Sequence, residues 1–241
     1  MMIKKTRTHD EFYAREDRSK EPLECFKDGL KHLLNSREID DDSNLLDIGC
    51  ASGDFLYYVQ TLKPKLNLWG IDVLPQLLEV ASKKIPNAKF SNCSIVDQKE
   101  VQKLKDKTPN GFNLIHMGGV HTIFDDFIWI DSIMSLLAPK GRCVVFGPFN
   151  SYPYDVYVGI RKSGDKTIQS GWNTPSENSV SEILKLKKIK HEFFSWSMPF
   201  KIDKRPEDPL RAWTIETEEG RLQINGAGLI REQKFLVIDN I

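Results

Sequence analysis

The chain has 241 residues, of which 40% are hydrophobic and 28% charged, a composition typical of a globular protein with room for one large α/β domain. Its 34 Lys and Arg residues balance 34 Asp and Glu residues, so no bulk positive field favours nonspecific nucleic-acid binding. No apolar run approaches the roughly 18 residues that span a membrane, and the first residues lack the apolar core of a signal peptide. We therefore expect a cytoplasmic protein without nucleic-acid or membrane partners.

Cysteine placement predicts neither a disulfide framework nor a metal site. The sequence has four cysteines, and none of them forms a C-x-x-C pair. Three lie in or beside predicted strands or a predicted ligand loop, so we expect reduced, mostly buried thiols and no bound metal. The four are Cys25, Cys50, Cys93 and Cys143.

A leading helix and a strand–loop–helix unit come first along the chain. Apolar residues at 3.6-residue spacing predict a helix over 21–37 that packs on a sheet. The run 44–48 predicts a buried parallel strand, followed by a turn bounded by Gly49 and Gly53 and a helix over 54–62. Glycine lets a ligand approach the backbone, and a helix N-terminus offers unpaired N–H groups. This turn therefore predicts a site for a nucleotide-like ligand.

A second predicted strand, 66–72, ends in the carboxylate of Asp72. Doubly wound folds place the group that binds a ribose at this position, about twenty residues beyond the glycine turn. The dinucleotide fingerprint G-x-G-x-x-G is not met, because Ala51 stands where its middle glycine would admit a pyrophosphate. Together with the lack of a Tyr-x-x-x-Lys pair, this disfavours a nicotinamide-dependent oxidoreductase.

The motif D-I-G-C-A-S-G, from Asp47 to Gly53, and the G-I-D that ends at Asp72 resemble the first two motifs of class I S-adenosylmethionine-dependent methyltransferases. The usual family form is D-x-G-x-G-x-G followed by an acidic residue that closes the second strand, and Ala51 departs from it. The resemblance implies S-adenosylmethionine as the cofactor. The residues that it implies around the cofactor are Asp47, Gly49, Cys50, Ala51, Gly53, Asp72, Val73, Ser94, Ile95 and Met117.

Two of these positions carry further expectations. We expect Asp47 to hold the glycine turn by hydrogen bonding and to approach the ammonium group of the ligand. The family usually has an Asp after the third strand that meets the adenine amino group, whereas this chain has Ser94. A hydroxyl accepts a hydrogen bond but brings no charge, so we expect backbone groups and the packing of Ile95 to hold the adenine.

The remaining pattern completes the fold prediction. The predicted elements are a helix (75–84), a strand with its exit loop (89–97), a strand (111–116), a helix (124–137), a turn and strand (138–147), a helix (179–186), a strand (189–196) and two closing strands (221–224 and 234–238). Repeated β-α order predicts a parallel sheet wound on both sides. With the resemblance, the expected fold is α/β: a doubly wound, seven-stranded, mostly parallel sheet with an antiparallel C-terminal strand and lid insertions.

We expect one domain over 1–241, with two substrate-side insertions at 149–176 and 199–219. The first insertion opens with an aromatic-rich segment, 149–155, that predicts a short helix. Because similar methyltransferases often fold an N-terminal segment over the cofactor, 1–40 is the expected helical cover. Candidate substrate-binding residues in these segments are Tyr13, Asn150, Tyr154, Asp155 and Trp172. Surface-loop placement and core packing are the competing interpretations of these residues.

Methyl transfer from a sulfonium requires mainly an acceptor held in line in a dry pocket. If the acceptor is a hydroxyl, a general base helps, and histidine is the side chain whose ordinary pKa lies closest to neutrality. His121 is the candidate base because it follows the fourth predicted strand, with a turn-capping residue as the alternative. His116 lies in the strand interior and is expected to be structural, and Asp125 and Asp126 are expected to cap the next helix.

The leading hypothesis is S-adenosylmethionine-dependent methylation of a polar small molecule, at a hydroxyl, with a sugar or another biosynthetic intermediate as the acceptor. Neutral charge and the aromatic, proline-bearing insertions favour a discrete enclosed substrate. The alternative is a catalytically degenerate methyltransferase-like interaction protein, which Ala51 and Ser94 favour and the intact Gly49 and Asp72 oppose.

Overall fold

The computed structural model describes residues 3–6, 18, 20–35, 39–218 and 220–240. Within them the helices are α1 (Glu24–Leu34), α2 (Asp54–Leu62), α3 (Pro75–Lys84), α4 (Gln98–Lys107), α5 (Ile128–Leu136) and α6 (Glu177–Leu186). The strands are β1 (Ile3–Thr6), β2 (Asn44–Ile48), β3 (Asn67–Asp72), β4 (Lys89–Asn92), β5 (Phe112–Gly118), β6 (Leu137–Pro148), β7 (Gly159–Ile160), β8 (Thr167–Ser170), β9 (Lys190–Trp196), β10 (Trp213–Thr217), β11 (Gly220–Ile224), β12 (Ile230–Arg231) and β13 (Gln233–Asp239).

Seven strands form the central sheet, in the order β4-β3-β2-β5-β6-β13-β9. β13 runs antiparallel to both of its neighbours, and the other pairs are parallel. The prediction of a doubly wound, mostly parallel sheet with an antiparallel C-terminal strand is confirmed. The strands nearest the centre are buried on both faces, which is why they read as nearly continuous apolar runs in the sequence.

The helices cover the two faces of the sheet and create two separate cores. Successive side chains of a strand point to opposite faces, so Leu45 and Leu46 of β2 belong to different cores. One core is closed by residues of α4, α5 and α6, among them Trp129, which is almost completely buried. The other is closed by α1, α2 and α3, with Phe55 at its centre.

Both insertions leave the sheet at its carboxyl edge. The first follows β6 and contains β7 and β8, and β8 pairs in parallel with β1. The second, 199–219, follows β9 and contains β10, which pairs with β11 in the small antiparallel sheet β10-β11-β12. Because the first residue of β13 pairs with Pro148 and Trp196, both connections begin at the same end of the sheet. Their role as substrate-side insertions stays a prediction.

Three local predictions are wrong. The segment 149–155 forms no helix, because Asn150 and Val156 bridge to 174–176 and the Asn150 side chain accepts a hydrogen bond from Tyr152 N at 3.0 Å. The run 221–224 belongs to the small sheet rather than the central one. The helix predicted over 124–137 begins only at Ile128.

The predicted leading helix is confirmed as α1, which packs on the sheet through Leu30 and Leu33. Tyr13 lies outside the described residues, so its role and the N-terminal cover stay predictions. Residues 3–6 form a strand and not a helix. In the part of the chain that the structure describes, no helix has the length and apolar character to cross a membrane.

Candidate cofactor and acceptor site

The glycine turn after β2 is held by the end of β3. The N–H groups of Gly49 and Cys50 both donate to the carbonyl of Ile71, at 2.8 and 3.0 Å. Gly49 and Gly53 have φ of 71° and 80°, in the left-handed region that glycine adopts without strain. A Cβ at Gly49 would lie 2.2 Å from Cγ2 of Val120, so a side chain here would clash with the segment after β5. The turn thus needs glycine for both backbone shape and space.

Ala51 adopts the same left-handed conformation, with φ of 45°. A left-handed conformation costs an L-residue roughly 1–2 kcal/mol, which explains why the family usually has glycine here. The Ala51 N–H donates to Oδ2 of Asp72 at 2.9 Å. This bond ties the loop to the carboxylate that ends β3 and offsets part of the backbone strain.

Asp72 lies at the carboxyl end of β3 and is mostly buried. Its second oxygen, Oδ1, accepts a hydrogen bond from Leu74 N at 3.0 Å. Burial raises the pKa of the Asp72 carboxyl, and its backbone hydrogen bonds with Ala51 and Leu74 oppose that rise. A carboxylate has about four lone-pair sites, so two N–H donors leave capacity for a diol. The two backbone donors also fix the carboxylate in orientation.

The hydrogen bond of Asp47 corrects the role expected for it. Its Oδ1 lies 2.7 Å from Nδ1 of His116, on the neighbouring strand β5. This hydrogen bond does not involve the glycine turn. Both side chains are buried, and the His116 ring stacks on Phe55 with the centroids 3.8 Å apart. Burial raises the pKa of Asp47, and the hydrogen bond from His116 opposes the rise. The pair ties β2 to β5 beneath the loop, and the structural role expected of His116 fits this position.

A cavity of about 500 Å³ opens beside Asp72. It is lined by Val73, Asn92, Cys93, Ser94, Val96, Asp97 and Glu100. Val73, the next residue after Asp72, is 49% exposed and offers an apolar surface to a flat ring. Ile95 instead belongs to the hydrophobic core and is almost completely buried, so it supports the cavity from below. Sequence reasoning missed Glu100, although its place three residues after Asp97 is the spacing of a helix capping box.

His121 is buried at the carboxyl edge of the sheet, in the segment that follows β5. Its Nε2 lies 3.2 Å from the carbonyl oxygen of Pro148, which can only accept, so Nε2 carries the proton. Its Nδ1 is buried and has no hydrogen-bond partner in the described residues. Burial lowers the pKa of His121 to about 4. The imidazole is therefore neutral at pH 7 and keeps an unused lone pair on Nδ1.

The segment after His121 packs against the first insertion. Asn173 donates to the carbonyl of Phe124 at 2.8 Å and to Asp125 Oδ1 at 3.1 Å. The space left between these segments and His121 is about 10 Å³, which suits one water molecule. Asp126 accepts a hydrogen bond from Ile128 N at 3.1 Å, although Phe127 is the N-cap residue of α5. In this conformation the insertion closes over His121.

The predicted substrate-binding residues have structural contacts. Asn150 donates to the Tyr154 carbonyl at 2.8 Å. Asp155 accepts hydrogen bonds from Ser176 N and from Ser179 Oγ, at the start of α6. Tyr154 is 70% exposed, and Trp172 is buried. These contacts hold the insertion together, and the substrate-binding role of these residues stays a prediction.

Comparison with known proteins decides the family. A family model described as a methyltransferase domain matches residues 39–167, more than half of the chain, and this segment includes both motifs and the 500 Å³ cavity. The chain belongs to this methyltransferase family. It is a class I S-adenosylmethionine-dependent methyltransferase, so the predictions of family and cofactor are confirmed. A search of curated proteins found no match.

Solved structures share the fold at low sequence identity. A putative S-adenosylmethionine-dependent methyltransferase from Listeria monocytogenes has a TM-score of 0.61 and 12% identity, over 89% of this chain and 95% of that one. A methyltransferase from Clostridium acetobutylicum has a TM-score of 0.58 and 11% identity, over 95% and 96%. An amino pentose methyltransferase from Micromonospora echinaspora, involved in calicheamicin biosynthesis, has a TM-score of 0.54 and 12% identity, over 96% and 94%.

The residues of the methyltransferase fit S-adenosylmethionine. Asp72 retains lone pairs for the ribose hydroxyls, and the adjacent cavity of about 500 Å³ lies in the size range of small-molecule sites. The glycine turn leads into the N-terminus of α2, where backbone N–H groups without helical partners can face a ligand. Met117, at the end of β5, is fully buried and supports the floor of the site from within the core.

Proposed function

We propose that this methyltransferase methylates a hydroxyl of a polar small molecule at the carboxyl edge of its sheet. The observation that carries the proposal is the unused Nδ1 of His121, a buried proton acceptor just after β5. When bound, S-adenosylmethionine supplies an electrophilic methyl group on a sulfonium. The space beside His121 is only about 10 Å³, so the proposal requires the first insertion to move aside before an acceptor can reach Nδ1.

The proton chemistry suits a neutral imidazole. The bond from the acceptor oxygen to the methyl carbon forms as the sulfur–carbon bond breaks, and the hydroxyl proton becomes strongly acidic during this change. Nδ1 of His121 can then take the proton although burial holds the pKa of His121 near 4. The hydrogen bond from Nε2 to Pro148 keeps Nδ1 in the accepting tautomer.

An amine is the second candidate acceptor: it binds as the ammonium ion and gives its proton to solvent before the nitrogen lone pair takes the methyl group. Burial raises the pKa of the Tyr157 phenol, and the negative charges of Asp155, Asp125 and Asp126 raise it further. This negative potential favours a cation near the site. A structural neighbour from Micromonospora echinaspora that shares the fold at 12% identity is an amino pentose methyltransferase.

Label transfer tests the proposal. Purified protein is incubated with S-adenosylmethionine carrying a labelled methyl group and with matched hydroxyl-bearing and amine-bearing small molecules, including sugars and amino sugars. Product mass and fragmentation identify the methylated atom. We expect a methyl ether, and we expect His121→Phe to lower kcat by roughly 10²–10⁴-fold while the affinity for S-adenosylhomocysteine stays unchanged.

Three results would count against this function. Methylation of amines alone would replace the hydroxyl with the second candidate. An unchanged kcat in His121→Phe would remove the base role. A protein whose melting temperature S-adenosylmethionine does not raise would be a degenerate, noncatalytic member of the family, because a ligand of the native state must stabilise it.

A further inference from the structure

The 500 Å³ cavity lacks the acidic residue that usually meets the adenine amino group, because Ser94 occupies that position. An amino group donates hydrogen bonds, and a buried donor without an acceptor weakens binding. We propose that Glu100, on the first turn of α4, supplies the missing carboxylate and makes the site selective for adenine. The proposal rests on S-adenosylmethionine as the cofactor.

Helix capping explains how Glu100 reaches this position. Asp97 caps α4, and its Oδ1 accepts from Lys99 N at 2.9 Å and from Glu100 N at 3.2 Å. In a capping box the acidic side chain three residues later bonds to the N–H of the capping residue. Here that N–H already donates to the carbonyl of Ser94 at 3.0 Å. The Glu100 carboxylate therefore extends past Asp97 to Ser94, the residue that departs from the family pattern.

The Glu100 carboxylate is held by the backbone of Ser94. Its Oε2 accepts from Ser94 N at 2.7 Å, and both residues line the cavity. A backbone donor fixes the carboxylate at the wall of the cavity where the side chain of the usual Asp would begin. This N–H uses one of about four lone-pair sites, so capacity remains for an amino group.

The lining of the cavity connects the ribose ligand with Glu100. Val73, directly after Asp72 in the chain, lines the same cavity as Ser94 and Glu100. A nucleoside whose ribose binds Asp72 and whose base occupies this cavity therefore meets Ser94 and Glu100 in its wall. Asp97 is the competing acceptor in the same wall, but its Oδ1 already accepts the two N–H groups that cap α4.

The proposal predicts selectivity between two bases. S-inosylhomocysteine differs from S-adenosylhomocysteine in carrying a carbonyl where adenine carries the amino group, and a carbonyl oxygen facing Glu100 is repelled. We expect the wild-type protein to bind the adenosyl ligand at least about tenfold more tightly, which is the scale of one hydrogen bond to a charged group. In Glu100→Gln the amide oxygen can keep the bond from Ser94 N while the NH₂ group donates to the carbonyl. The preference should then vanish or reverse.

Calorimetry with both ligands provides the test, on wild type, Glu100→Gln, Asp97→Asn and Glu79→Gln. Glu79 is exposed on α3 and controls for the change in net charge. Loss of the preference in Glu100→Gln alone supports the proposal. The ratio of the two dissociation constants is taken within each variant, so a general loss of stability does not mimic the effect.

Other outcomes overturn the proposal in distinguishable ways. If Glu100→Gln keeps the wild-type preference, or the wild type has none, Glu100 does not read the amino group. If Asp97→Asn loses the preference instead, the acceptor is Asp97. If the wild type binds neither ligand, the cofactor assignment itself fails, and the role of Glu100 fails with it.

Discussion

Lowering the pH should destabilise the protein through His121. Burial lowers its pKa from the ordinary 6.5 to about 4 in the folded state. Between these values the unfolded chain binds a proton that the folded protein does not, so stability is complete above pH 6.5 and falls as the pH drops towards 4. From pH 7 to pH 4.5 this titration alone removes roughly 2 kcal/mol of the free energy of unfolding.

Urea unfolding of wild type, His121→Asn and His121→Phe at pH 7 and pH 4.5 measures this contribution. Neither replacement titrates in this range, so both variants should lose roughly 2 kcal/mol less than the wild type over the same pH change. Asparagine and phenylalanine differ in volume. An equal change in pH dependence in both variants therefore comes from the lost titration of His121 and not from altered packing. Equal pH dependence in wild type and variants would refute the buried, neutral state of His121.

Two predictions concern the cofactor loop. Asp72→Asn should weaken S-adenosylhomocysteine binding by roughly 10- to 100-fold in calorimetry, because it removes a charged acceptor from a diol and turns an amide donor towards Ala51 N or Leu74 N. Affinity equal to that of the wild type, or an equal loss in the exposed control Asp41→Asn, would exclude Asp72 as the ribose ligand. Ala51→Gly should raise the free energy of unfolding by about 0.5–1 kcal/mol, since relief of the left-handed strain exceeds the extra backbone entropy of glycine. A destabilised Ala51→Gly protein in urea unfolding would show that the loop is not strained.

The central sheet was predictable because its signals are local. The apolar runs at 44–48 and 66–72, the bounding glycines and the repeated β-α order each depend on nearby residues. The antiparallel end strand was also expected, although 221–224 joined a different sheet. Segment 149–155 was mispredicted because distant backbone partners at 174–176 override its local preference.

The sequence by itself determined the cofactor side of this methyltransferase: the glycine turn, the carboxylate that ends β3 and the family to which they belong. Only the tertiary structure decided what the isolated polar residues do. It paired Asp47 with His116, directed Glu100 to Ser94 and left Nδ1 of His121 without a hydrogen-bond partner among the described residues. The physical reason is that a turn is defined by residues next to one another, whereas burial and hydrogen bonding depend on segments far apart in the chain.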